Sequence, residues 1–196
     1  MHRKPPYNSE HVRRVEEEVR QRVSLPPKDD LDPISQDEIS KHIKALKIRK
    51  APGRLQTYKS FGVLGKLFEK TLKTRLSNQL IGKGLIINEQ FGFRPNHSCP
   101  QQALRLIEYI SDGFKVKRKT VAVFFDVAKA FDRVWHAGLI YKLYKLELPD
   151  RLVIIIHHYI SNRHFSFRLD NTSLMRPIRA GVPQGSTLSP LLYPRT

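Results

Sequence analysis

The chain has 196 residues, of which 40% are hydrophobic; that is enough for a sizeable core and too apolar for a disordered chain. Its 35 Lys and Arg outnumber 18 Asp and Glu, giving a formal net charge of +17 that favours polyanionic partners, above all nucleic acid. The single cysteine, Cys99, excludes an internal disulfide and a cysteine-based metal cluster, and the longest apolar run, 152–156, is far too short to span a bilayer, so no membrane partner and a nuclear or cytoplasmic location are expected.

Residues 1–34 read as an N-terminal extension. It carries one helical pattern, Val12, Val15, Val19 and Val23, ended by LPPKDDLDP. Ser35 and Glu38 form a capping box for a helix whose Ile39, Ile43 and Leu46 share a face and which stops at APG, 51–53. A longer helix follows, with Leu64, Leu67, Phe68, Leu72, Leu76 and Leu80 at helical spacing and Gly82 and Gly84 at its end. Beyond the loop NEQFGFRPNHS, Ser98 and Gln101 form a second capping box and open a helix through Leu104, Ile107 and Ile110.

After the solvated basic run KVKRK (115–119), TVAVFFDV (120–127) is apolar on both faces and predicts a central strand. Two helices come next, one with Leu139, Ile140, Leu143 and Leu146, the other starting near Asp150 with Leu152, Ile155, Ile156 and Tyr159. HFSFRLD (164–170) alternates strictly and predicts a half-buried strand, turned by 170–173 into a partner strand over 174–180. A Gly/Pro/Gln loop and a short apolar pattern, AGVPQGSTLSPLLYPRT, end the chain. There is no internal repeat, and the mixture of paired strands and flanking helices predicts an α+β fold.

Asp126 ends the apolar run, and Phe131 follows five residues later. A carboxylate at a strand exit suits a divalent cation: the strand fixes the backbone and leaves the oxygen open to water and substrate phosphates. A nearby ring could pack on the sugar of a bound nucleotide. The alternative is structural, with Asp126 capping the next turn and Phe131 in the core.

FFDVAKAFDRVWH (124–136) resembles motif A of reverse transcriptases, especially those of non-LTR retrotransposons of the insect jockey type. Three further blocks occur in the same order as in that family. KIRKAPG (47–53) resembles the segment ahead of the fingers, VLGKLFEKTLKTRL (63–76) with QFGFRPNHSCPQQALRLI (90–107) resembles the first two fingers motifs, and AGVPQGSTLSPLLY (180–193) resembles motif B. The resemblance implies a partial right-hand polymerase: extension 1–34, a fingers-like helical segment 35–118, and a partial palm 119–196. It implies an RNA template, a DNA primer, deoxynucleoside triphosphates, and Mg²⁺ or Mn²⁺.

Position by position, Asp126 matches the catalytic metal ligand, and Val127 would offer its backbone carbonyl to the same metal. Ala130 and Phe131 match the pair lining the nucleotide, with Phe131 as steric gate against a 2′-hydroxyl. Gln184 and Gly185 match the motif B loop that touches nucleotide and template. Arg94 matches a fingers arginine that either contacts template phosphate or holds its own loop. Asp132 is expected to be structural.

Three departures stand out. The family's acidic residue after APG and the long stretch with its aromatic-Arg-Pro-Ile segment have no counterpart here. The Leu that usually precedes the motif A Asp is Phe125. No carboxylate occurs from Asn171 to Thr196, where the family runs on toward the paired Asp of motif C. Two-metal phosphoryl transfer needs carboxylates from separate strands, so the chain as it stands is expected not to polymerise. The readings are therefore a working reverse transcriptase domain, a degenerate basic nucleic-acid-binding remnant of one, or an unrelated nucleic-acid-binding module; the order of the four blocks argues against the third.

Overall fold

A computed structural model of the chain describes residues 8–28, 30–45, 63–169, 172–183 and 185–192. Among these, the structure is mostly helical with one two-stranded sheet. The helices are α1 (Ser9–Ser24), α2 (Gln36–Lys44), α3 (Val63–Gly82), α4 (Cys99–Lys115), α5 (His136–Lys145), α6 (Asp150–Ile160) and the short α7 (Ser189–Leu192). The strands β1 (His164–Leu169) and β2 (Thr172–Pro177) form an antiparallel hairpin, in register from His164–Pro177 to Leu169–Thr172. None of these helices is long and apolar enough to cross a membrane.

The chain divides into two compact units, one made of 1–79 with 130–196 and the other of 80–129. In the first, α5 and α6 supply the core: Leu139, Ile140, Leu143, Leu152, Val153, Ile156 and Ile160 are fully buried. Each such side chain contributes roughly 1.5–3 kcal/mol on leaving water. Both helices were legible from their apolar spacing.

The N-terminal segment belongs to this unit. Asn8 caps α1 by accepting from the Glu10 and His11 amides. Val15 and Val19, half of the predicted valine stripe, are buried as α1 packs on α5, and the Arg22 guanidinium lies 5.2 Å from the Tyr144 ring centroid. Downstream, the Asp30 carboxylate accepts from the Asp150 amide at 2.5 Å and the Arg151 amide at 3.4 Å. It thereby caps α6, whose own N-cap residue is Pro149 and makes no side-chain cap. Ser35 accepts from the Glu38 amide as the capping pattern predicts. The apolar face predicted for α2 is not buried, however: Ile43 is 53% exposed. Polar contacts hold this segment instead, with Arg75 of α3 donating to both Glu38 carboxylate oxygens and to the carbonyls of Asp32 and Pro33.

The largest correction concerns 120–127. No strand forms there, and Val121, Val123, Phe124, Phe125 and Val127 are all exposed. An apolar strand sequence makes a strand only where a neighbour completes its backbone hydrogen bonds, and among the described residues β1 and β2 pair only with each other. The hairpin itself forms as predicted, with the second strand starting two residues early. The stop at 51–53 and the turn residues 170–171 lie outside the described residues.

In the second unit, Ser98 and Gln101 make the full reciprocal capping box of α4. Leu104 and Ile107, which mark the predicted helix, are more than half exposed.

Candidate functional site

The segment after motif A and the motif B loop meet within the first unit. Ala130–Arg133 form one 3₁₀ turn, with Ala130 and Phe131 half-buried. Val134 then turns inward, and Trp135 makes an antiparallel bridge with Ala180. Three bonds close the junction. The Gly181 amide donates to the Val134 carbonyl and the Val182 amide to the Phe131 carbonyl, each at 2.8 Å. His136 Nε2 lies 2.8 Å from the Gly181 carbonyl; a carbonyl only accepts, so the ring proton must sit on Nε2. Gly181 has φ +93°, and a Cβ there would come within 3.1 Å of Asp132 Cα, the Asp132 carbonyl and the Phe131 carbonyl. Glycine is thus required both by backbone conformation and by close approach.

Beyond Gly181 the loop is pinned from below. Ser189 Oγ donates to the Pro183 carbonyl at 2.7 Å, and the Ser186 amide reaches the same carbonyl at 3.3 Å. Tyr159 Oη of α6 lies 2.6 Å from Glu69 Oε1 and 2.8 Å from Ser186 Oγ. The Thr187 amide donates to Glu69 Oε2, and the Leu188 amide to Ser186 Oγ. Glu69 itself, on α3, is only 3% exposed. Burial, with the hydrogen bond to Glu69 second, pushes the Tyr159 phenol well above its ordinary value. At the top of the loop Gly185 is exposed with φ +80° and nothing near it. Gln184 lies outside the described residues.

Phe131 and the Gly185 loop are therefore brought together, with Ala130 opening the same turn. Asp126 and Val127 belong to the other unit. Both are exposed, and Asp126 makes no side-chain hydrogen bond or ion pair among the described residues. An unencumbered carboxylate suits a hard cation that keeps waters and takes substrate oxygens. No group of three or more His, Cys, Asp or Glu that could hold a metal ion gathers among the described residues. Arg94, also in that unit, donates from Nη1 to the Ile87 carbonyl at 3.1 Å. That contact holds its loop and leaves other guanidinium donors available.

Residues 39–196 match the family described as reverse transcriptase (RNA-dependent DNA polymerase). The chain belongs to the reverse transcriptase family. Within that family it is 44% identical over 131 residues to the probable RNA-directed DNA polymerase from transposon BS of Drosophila melanogaster, covering 66% of this chain and 14% of that protein. It is 36% identical over 151 residues to the RNA-directed DNA polymerase from mobile element jockey of the same species, covering 75% and 16%. The jockey polymerase of Drosophila funebris is 36% identical over 155 residues, covering 77% and 17%. The chain thus spans about a sixth of the length of these relatives and is a reverse transcriptase domain homologous to those of non-LTR retrotransposons. No solved structure matches it.

Sequence reasoning missed Glu69, Tyr159, Ser186 and His136. A signal for Glu69 was present: it precedes Leu72, Leu76 and Leu80 by three, seven and eleven residues, so it shares their helical face. An acid on a buried stripe demands partners.

Proposed function

We propose that the chain supplies the nucleotide-facing part of an RNA-directed DNA polymerase, built as a partial right-hand fold with fingers-like and palm-like segments. The observation carrying this reading is the backbone junction in which Val182, on the loop that runs on to Gly185, donates to the Phe131 carbonyl, so that both sequence-predicted positions belong to one connected piece of backbone. In the reaction a primer 3′-hydroxyl attacks the α-phosphate of a deoxynucleoside triphosphate and pyrophosphate leaves. Mg²⁺, or Mn²⁺ in its place, would be held by the Asp126 carboxylate and the Val127 carbonyl, and such an ion lowers the pKa of a bound hydroxyl and neutralises phosphate charge. Phe131 packs against the sugar and leaves no room for a 2′-hydroxyl, and Ala130 keeps the adjoining surface low. Gly185, with Gln184 beside it, lets the loop backbone approach the nascent base pair. Arg94 and the remaining positive charge hold template and primer phosphates.

The test is primer extension on an RNA template by the polypeptide that carries this chain, with Mg²⁺ and Mn²⁺ in separate arms and Asp126→Asn as control. Extension that Asp126→Asn abolishes supports the reading. Salt-sensitive nucleic-acid binding with no extension under either cation would favour the basic binding remnant instead. In that assay each neutralised phosphate contributes roughly 0.9 to the slope of log K against log salt.

A further inference from the structure

We propose that Glu69 is a positioning residue for the nucleotide-facing loop, acting through Tyr159 and the Thr187 amide; this rests on the reading that the loop touches the incoming nucleotide. The bonds form one ordered chain once the protons are counted. The Leu188 amide donates to Ser186 Oγ, so the Ser186 hydroxyl proton is free to go to Tyr159 Oη. The ionised carboxylate only accepts, so the single phenolic proton goes to Glu69 Oε1, while Oε2 takes the Thr187 amide. Both oxygens of one buried carboxylate are thereby spent on the loop, directly at Thr187 and through a phenol and a hydroxyl at Ser186.

Among the described residues no lysine or arginine pairs with Glu69. A carboxylate only 3% exposed has given up its water, and the donors from Tyr159 and Thr187 replace it. The dependence is mutual: the carboxylate needs the loop donors, and the loop needs a two-oxygen acceptor at that spot. Leu188, directly after the pinned residues, is fully buried, so the latch also fixes where the loop re-enters the core. On the solvent side Gly185 has no neighbour within 4 Å of an added Cβ. Its position is thus set from beneath by Glu69, Tyr159 and Ser186.

Glutamine at position 69 keeps one oxygen for the Thr187 amide, but its amino group can only donate to Tyr159 Oη, so the carboxylate's charge is lost and the order of donors through Tyr159 to Ser186 is reversed. The experiment compares Glu69→Gln and the milder Tyr159→Phe with wild type in the polypeptide that carries the chain. Hydrogen exchange of the Thr187 and Leu188 amides is followed beside steady-state extension and thermal unfolding. Folded variants are expected to lose protection at those two amides and to raise KM for the nucleotide roughly tenfold or more, with kcat within about threefold, as removal of a positioning contact predicts. Glu69→Asp, which retains both oxygens, is expected to recover part of the KM. Unchanged protection in both variants overturns the proposal, whatever happens to activity. Lost protection with unchanged KM also overturns it, while leaving the polymerase reading intact. If the wild-type protein extends no primer, the polymerase reading falls and the nucleotide role of Glu69 falls with it; the exchange data still report separately whether the latch holds the loop.

Discussion

The amide of Val182 donates to the carbonyl of Phe131 at 2.8 Å, tying together segments fifty-one residues apart in sequence. One residue earlier, Gly181 approaches the same carbonyl so closely that a Cβ would sit 3.1 Å from it. The aromatic side chain proposed to read the sugar and the loop proposed to touch the nucleotide therefore share one backbone junction.

That junction makes Gly181→Ala a structural test. The alanine must adopt φ +93° and push against the backbone of Phe131 and Asp132. The expected loss is about 1–3 kcal/mol, read as a lower midpoint in thermal or denaturant unfolding. Gly185→Ala shares the positive φ but meets no neighbour, so it is expected to cost less. Equal losses in the two variants would mean that the close approach at Gly181 is unimportant.

Phe131→Ala tests the site. In a polypeptide that extends primers, it is expected to admit ribonucleotides while incorporation of deoxynucleotides continues. Competition between ribo- and deoxynucleotide on one template measures this directly. Sugar discrimination unchanged from wild type would assign Phe131 to packing alone.

Much of the first unit was legible because its signals are local. Leu139 to Leu143 and Leu152 to Ile156 carry their own helical period, and Ser98 with Gln101 announces its helix within four residues. The strand expected at 120–127 failed for a non-local reason, since period and composition specify a surface that can pair but not the presence of a partner. The same limit hid the Glu69 latch, whose members come from three separate segments. Nothing near Asp150 in sequence indicates that Asp30 caps its helix.

Asp30→Ala is expected to destabilise the protein by about 1 kcal/mol through loss of the cap on α6. Asp30→Asn retains one acceptor and a good capping geometry, so a smaller loss is expected. Chemical denaturation of the three proteins at neutral pH makes the comparison. If Asp30→Ala matched wild type, the N-terminal segment would be a passive neighbour of α6.

Stability on the acid side is expected to fall in two separable windows. The first belongs to His157. Burial, and then the nearby His158 and His136 charges, lower its pKa below the ordinary 6.5, and its Nδ1 is buried without a partner. With the folded value depressed, the folded protein resists a proton that the unfolded chain accepts, so stability is undiminished above pH 6.5 and declines as pH drops below it. The second window belongs to Glu38, whose pKa is lowered from the ordinary 4.5 chiefly by the hydrogen bond from Arg75, with burial opposing. Its contribution is present above pH 4.5 and is lost as pH falls through the depressed folded value. Each group adds at most about 1.4 kcal/mol per pH unit within its window. Replacing the ring in His157→Gln is expected to flatten the curve between roughly pH 6.5 and the Glu38 window. Glu38→Gln should leave that upper region unchanged and flatten only the part below 4.5, at the expense of a lower plateau at neutral pH, because Arg75 then loses its charged partner. Unfolding free energies measured from pH 7 downward decide the matter. Curves that run parallel for wild type and both variants would mean that neither group is linked to folding through its proton, and would leave the Arg75 contact as a neutral fastening between α2 and α3.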